Sequence, residues 1–431
     1  MDPQVLAHRL RHPTQSHQPR GSAAGRENPS VAVLGQSHVY AAESFDPRLK
    51  VRLLVLQPTP FCNIACDYCY LAERESRRFM SLETVEASVR NILESGLLGE
   101  ELPVVWHAGE PLIASRAFYA DAFDMVKRLA GPHVHVSHSI QTNGMLISDS
   151  WCDLFRKYDV RVGVSVDGPA FLHDRHRKTR SGKPTHAAVM RGIQALQSNG
   201  IPFHVIAVAT RDTLQHADAF IEFFAEHKVG YVGINIEEQE GVHHSSTLQG
   251  NDEQYEAFLS RLYFRASQEP GMPAIRELEQ ARRIITDGIP VVSIDGRAMP
   301  YNDQVMPFAI TTVDHDGNFS CFSPELIDQI HPEYGRFVFG NVLRDRMIAA
   351  LGNDHFCRIF DAILGGVARC KSTCEYYNSC GGGAPVNKLN ETGSFCATET
   401  DYCRRTIQRP IAIALEMLER ELFGSDHKKR T

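Results

Sequence analysis

Nowhere does this 431-residue chain hold the run of about 18 apolar residues that a membrane-spanning helix requires, so no membrane partner is expected. Excess positive charge is also lacking. Lys and Arg number 45 against 52 Asp and Glu, a formal net charge of -7, which leaves no electrostatic case for binding nucleic acid. The first 48 residues, with HRLRHPTQSHQPRGSAAGRENPS, lack the apolar centre of a signal peptide. They are polar and turn-rich, and are expected to form a disordered tail on a cytoplasmic protein. Cysteine is missing from the long middle of the chain. The eleven cysteines fall instead at Cys62, Cys66 and Cys69, at a lone Cys152, at Cys321, and six times between Cys357 and Cys403. That distribution does not fit a secreted disulfide scaffold of this length; in a reducing compartment, clusters argue for metal. Two metal regions thus bracket a cysteine-poor middle. With 43% hydrophobic and 23% charged residues, the chain can bury a core in two or more domains.

The first group lies in PFCNIACDYCY, which begins at Pro60. A helix would spread Cys62 and Cys69 over ~10 Å of its axis at ~1.5 Å per residue. Asn63 and Asp67 favour turns. A loop is therefore expected, from which the three thiolates can converge. Iron-sulfur clusters are normally held by four cysteines, so three suggest a cluster with one iron left open. Zinc is the rival, although structural zinc also takes four ligands.

Short β-rich runs begin at Val51, Leu102, Val134, Val160, Phe203 and Tyr231, with amphipathic helical patterns between them. In SLETVEASVRNILESGL, Ser81 reads as an N-cap, and Leu82, Val85, Val89, Ile92 and Leu93 form the apolar stripe. Strands alternating with helices in this way predict parallel βα units in an α/β fold. Six units predict a partial (β/α)6 TIM-like barrel over 49–250, with its chemistry at the carboxyl ends of the strands. The unusual stretches fall there: the cysteine loop, HAGEP, QTNG, SVDGP, VAT and NIEE follow strands one to six in turn. Residues 251–310 read as a helical, charged connector, and 311–431 carry the second cysteine group.

CxxxCxxC with an aromatic before its last cysteine, placed after the first strand of such a barrel, resembles the signature of radical S-adenosylmethionine (SAM) enzymes. The resemblance implies a [4Fe-4S] cluster on Cys62, Cys66 and Cys69, whose open iron binds SAM, with Tyr68 beside it. It also implies an electron donor such as flavodoxin or ferredoxin. His107-Ala108-Gly109-Glu110-Pro111 resembles the family's GGEP motif, with Ala108 in place of its first glycine. By that resemblance Gly109 and Glu110 face the methionine amino group, and Ser165 and Arg177 match positions associated with ribose or carboxylate. Asn143 is a further candidate for the cofactor pocket. For Ser165, Arg177 and Asn143 the alternatives are a strand-end cap, a solvated charge and a turn former.

CKSTCEYYNSCGGGAPVNKLNETGSFCATETDYCR, from Cys370, resembles a SPASM or twitch-like auxiliary-cluster domain. The resemblance implies at least one auxiliary iron-sulfur cluster on Cys370, Cys374, Cys380 and Cys403. Cys396 competes for the fourth place, and Cys321 and Cys357 are candidates for a second site. Ala384 stands where a full pattern has a further cysteine. Within this group, NFSCFSPEL, CGGGAPVNKLNETG and ETDYCR are most similar to cyclophane-forming peptide maturases, including those of glycine-rich-repeat precursors. The implied activity joins a side-chain β-carbon of a precursor peptide to an aromatic ring. Rivals are an anaerobic sulfatase-type maturase, a thioether-forming maturase and a catalytically silent metal-binding peptide scaffold. No catalytic base is assigned. No stretch reads as a winged-helix recognition domain, so the precursor is expected at the barrel mouth, the connector or another chain.

Overall fold

The computed structural model describes Tyr40, Phe45, 50–294 and 296–423. The β-rich runs form six strands: β1 (Leu53–Leu56), β2 (Glu101–Trp106), β3 (His135–Thr142), β4 (Arg161–Ser165), β5 (Phe203–Ala209) and β6 (Tyr231–Ile236). Each pairs in parallel with the next. Between them run α1 (Leu82–Glu94), α2 (Arg116–Ala130), α3 (Asp149–Tyr158), α4 (Ala170–His176), α5 (His186–Ser198) and α6 (Ala217–Glu226). The side chain of Ser81 accepts a hydrogen bond from Thr84 N, and α1 buries Val85, Val89 and Ile92. These are the N-cap and stripe expected of it.

Strand order follows chain order, so right-handed crossovers all land on one face of the sheet. That face is apolar: Leu102, Val104, Trp106, Val162, Val164, Val205 and Ala207 are buried under the helices. The opposite face is only partly covered, with Gln141, Ser165, His204, Ile206 and Asn235 half-buried. Two glycines make room there. A Cβ on Gly163 would lie 2.0 Å from Gln141 Oε1 and 2.8 Å from His204 Nε2, and one on Gly233 would lie 2.7 Å from the Arg276 guanidinium. The open face is therefore polar.

The connector holds the expected helices, α7 (Asp252–Gln268) and α8 (Arg276–Asp287). It also holds β7 (Ala274–Ile275), which extends the sheet beyond β6, and the hairpin β8 (Val291–Ile294) and β9 (Arg297–Pro300). The chain then returns to the other edge. Strand β10 (Ile310–Val313) pairs in parallel with β1, and β11 (Asn318–Cys321) pairs antiparallel with β10. The division expected at 311 thus falls inside a strand of the common ten-stranded sheet. Beyond it come α9 (Asp354–Thr373), α10 (Tyr377–Cys380), α11 (Pro385–Thr392), α12 (Asp401–Cys403) and, after one π-helical turn, α13 (Arg409–Phe423).

The tail expected over 1–48 lies outside the described residues except at Tyr40 and Phe45. Both are buried, their rings 4.9 Å and 6.0 Å from that of Phe360. Two aromatic side chains anchor this part of the segment on α9, which corrects its exclusion from the fold. Among the described residues, no helix is long and apolar enough to cross a membrane.

Candidate functional site

Residues 61–72 form no helix, and the loop is strapped from both sides. Cys62 N donates to Arg74 O (3.1 Å), Arg74 Nη1 to Cys66 O (2.8 Å), Ala65 N to Lys178 O (2.7 Å) and Arg180 Nη1 to Cys62 O (3.3 Å). Cys62 and Cys66 are buried, Cys69 is half-buried, and all three are free thiols. Burial, with Glu110 next in effect, pushes the Cys62 thiol up to about 12. Burial also pushes Cys66 up to about 12, against the pull of Arg177. Such thiols ionise only beside a strong cation, as iron would supply. Among the described residues, no group of three or more His, Cys, Asp or Glu side chains stands arranged to hold a metal ion.

The HAGEP turn locks onto this loop. Ala108 and Gly109 have φ of 72° and 57°. A Cβ on Gly109 would lie 2.5 Å from both Thr59 O and Phe61 O, so only glycine fits the approach. Glu110 N donates to Phe61 O (2.8 Å). The fully buried Glu110 carboxylate accepts from Leu112 N (2.9 Å), Thr142 Oγ1 (2.7 Å) and Asn143 N (2.8 Å). Asn143 Nδ2 reaches Asn63 Oδ1 (2.7 Å) and lies 3.9 Å from Cys62 Sγ. Glu110 and Asn143 therefore join the ends of β2 and β3 to the cysteine loop. Ser165 lies on the open face, accepting from Gln141 Nε2 (3.0 Å).

Arg177 is buried against Asp167, its Nε donating to Oδ2 (2.9 Å) and its Nη2 to Oδ1 (3.1 Å). The same carboxylate accepts from Val208 N (2.9 Å) and from the Tyr68 hydroxyl. The guanidinium lies 5.5 Å from the Tyr68 ring centroid. Burial alone would raise the Asp167 carboxyl, but Arg177 and the other donors hold it below the usual range. Arg177 is thus no solvated charge; it fixes Tyr68, the neighbour of Cys69. Asp167 was missed in the sequence, although it stands in SVDGP two residues after Ser165.

The second cysteine group assembles from α9, α10 and α12. Burial pushes Cys403 up to about 12, with Cys380, Cys374 and Cys370 adding to it in that order. Cys380 is likewise raised by burial and then by Cys374 and Cys370. Cys403 thus feels the other three thiols, and Cys380 feels Cys374 and Cys370. Asn302 Nδ2 donates to Cys380 O (3.0 Å) and Gly383 O (2.8 Å), bracing the glycine turn from the connector. The remaining candidates lie apart. Cys396 Sγ donates to Ala362 O (3.3 Å) and Cys357 Sγ to Leu351 O (3.2 Å), while Cys321 is fully buried at the end of β11. Cys396, the competitor for the fourth place, and Cys321 and Cys357, the candidates for a second site, thus each pack against backbone or core.

Between the two cysteine regions stands a group of carboxyls that sequence reading assigned no role. Asn387 Nδ2 donates to Glu238 Oε2 (2.6 Å) and lies 3.4 Å from Glu240 Oε1. Burial raises both carboxyls, and each is further raised by Glu325. Glu238 closes the NIEE stretch that follows β6, and Glu240 stands two residues beyond it. Tyr70, next to Cys69, has a buried hydroxyl without a hydrogen-bond partner among the described residues and is influenced by Glu325 and Glu240.

Three loop thiols, the HAGEP turn and the Asp167–Arg177 pair thus lie at the carboxyl ends of a sequentially wound parallel sheet. Residues 56–224 match the family model of the radical SAM superfamily. The uncharacterized protein sll1766 of Synechocystis is 42% identical over 376 residues, 86% of this chain and 92% of that protein. A serine-type anaerobic sulfatase-maturating enzyme of Bacteroides thetaiotaomicron is 32% identical over 224 residues, 49% of this chain and about half (54%) of that enzyme. Native anSMEcpe with bound AdoMet and Cp18Cys peptide shares the fold, with TM-score 0.67 at 21% identity over 86% of this chain and 98% of that one. Streptococcus suis SuiB bound to precursor peptide SuiA does so with TM-score 0.56 at 17% identity, over 83% and 76%. The chain belongs to the radical SAM superfamily and is an enzyme related to anaerobic sulfatase-maturating enzymes.

Proposed function

We propose that this enzyme oxidises a side-chain β-carbon of a ribosomally made precursor peptide and joins it to an aromatic ring, forming a cyclophane. The observation that supports the reading is the group of Glu238, Glu240 and Glu325, which meets Asn387 of α11 on one side and influences Tyr70, the neighbour of Cys69, on the other. When bound, a [4Fe-4S] cluster on the first set supplies the electron that cleaves SAM to a 5′-deoxyadenosyl radical, and an auxiliary cluster on the second supplies an electron acceptor.

The protein's own residues then do the following. Glu110 and Asn143 fix the cysteine loop against β2 and β3. Asp167 and Arg177 hold Tyr68 in place. Gln141, Ser165 and Asn235 offer hydrogen bonds along the open face to an extended peptide. Burial raises the Glu238 and Glu240 carboxyls, Glu238 raises Glu240 further, and whichever is ionised takes the proton that the ring loses.

The sulfatase-type alternative is favoured by one specific observation, the 32% identity to a serine-type maturase. Oxidising serine to an aldehyde and closing a carbon-carbon bond both remove two hydrogens, so mass alone does not separate them. Candidate precursor peptides should be incubated with reconstituted enzyme, then trapped with an aldehyde-reactive hydroxylamine and fragmented. The proposal expects no trapping and a fragment-free interval between the joined residues. Trapping would favour the sulfatase-type reading, and a sulfur linkage the thioether one.

A further inference from the structure

Lys388 is only 3% exposed, on α11, and its Nζ stands 3.2 Å from Cys370 Sγ. Among the described residues its ammonium makes no ion pair and no other hydrogen bond through Nζ. Its stem passes over the glycine turn, where a Cβ on Gly383 would lie 3.7 Å from Lys388 Cε. A lysine on a surface helix ordinarily extends its head into water. Burying an ammonium opposite a neutral thiol is costly; the cost falls away when the partner is anionic. A cluster held by four thiolates is such a partner, and it becomes more negative when it accepts an electron.

We propose that Lys388 is a positioning residue that raises the reduction potential of the iron-sulfur group held by Cys370, Cys374, Cys380 and Cys403, making it a better electron acceptor. The inference rests on the reading of these four cysteines as cluster ligands. Its physical basis is that a fixed cation near the sulfur favours the more negative, reduced state over the oxidised one, and that hydrogen bonds to cluster sulfurs act in the same direction. The neighbouring residue extends the argument. Asn387 bonds Glu238, so α11 places an electron-acceptor partner and a proton-acceptor partner at successive positions. Rearomatising a ring-centred radical releases one proton and one electron. The carboxylate would take the proton, and a cluster held by Cys370, Cys374, Cys380 and Cys403 would supply the acceptor for the electron.

The test uses full-length protein carrying Cys62→Ala, Cys66→Ala and Cys69→Ala, so that any remaining iron belongs to the second group. Iron content and an anaerobic EPR redox titration are compared for Lys388 and for the Lys388→Met and Lys388→Arg variants. The proposal expects one cluster's worth of iron in all three, a midpoint displaced to more negative potential in Lys388→Met, and a midpoint near that of the parent in Lys388→Arg. Should Lys388→Met fail to load, Lys388→Gln, neutral but still a donor, takes its place and is expected to show a smaller displacement in the same negative direction. Equal midpoints with iron retained would overturn the role of Lys388 while leaving the ligand reading intact. Absence of iron in the triple-cysteine parent would overturn the ligand reading, and the inference with it.

Discussion

Replacing Arg177 with Met tests whether the buried pair beneath Tyr68 is structural in the way its geometry demands. Asp167 is 2% exposed and Arg177 7%, so the substitution strands a buried carboxylate rather than a solvated one. Two guanidinium bonds are lost, leaving only the Tyr68 hydroxyl and Val208 N as donors. Removing one partner of a buried pair costs about 3–5 kcal/mol. The pH dependence carries a distinctive sign. In the native protein the Asp167 carboxyl is held below its usual value, so its contribution is present at neutral pH and lost as pH falls through the folded-state value. Without Arg177, burial dominates and places the carboxyl above its unfolded value. The variant is then penalised at neutral pH and relieved on acidification. The stability gap between the two proteins, measured by urea unfolding, should be widest near pH 7 and narrow toward about pH 4, where unfolded aspartate protonates. A gap below about 1 kcal/mol, the range of exposed pairs, or one that does not change with pH would refute the reasoning.

Three further outcomes are expected. Gly109→Ala should prevent stable iron loading, because its Cβ would meet Thr59 O and Phe61 O at 2.5 Å, whereas Ala108→Gly should raise stability by about 1 kcal/mol by relieving a positive φ in thermal unfolding. Cys403→Ala should lose more iron than Cys396→Ala, since Cys403 neighbours the other three thiols and Cys396 faces Ala362 O; equal iron in the two variants would count against the four-cysteine group. Cys66→Ala should abolish conversion of SAM to 5′-deoxyadenosine, measured by chromatography, and undiminished conversion would remove this loop from the chemistry.

The six strands and their order were legible because each is a short β-rich run followed by an amphipathic helix, a pattern set by local burial. The same alternation placed the cysteine loop, HAGEP, QTNG and SVDGP together at one end of the sheet. What the sequence hid depends on distant pairing. The return of Ile310 to the edge of Leu53 leaves no local mark. Arg177 in HDRHR stood open between a cofactor contact and a solvated charge, and Lys388 in VNKLN drew no reading, since nothing nearby announces the carboxylate or thiol that each meets. Glu238 and Glu240 read as a polar strand end, until Asn387 is brought across from another element.

The central claim is that a radical formed beside the Cys62, Cys66 and Cys69 loop attacks a peptide β-carbon. A precursor peptide deuterated at the β-carbon that becomes cross-linked should be turned over anaerobically and the 5′-deoxyadenosine analysed by mass spectrometry. The account predicts deuterium in the 5′-deoxyadenosine in step with cross-link formation. A cross-linked peptide formed with unlabelled 5′-deoxyadenosine would contradict it.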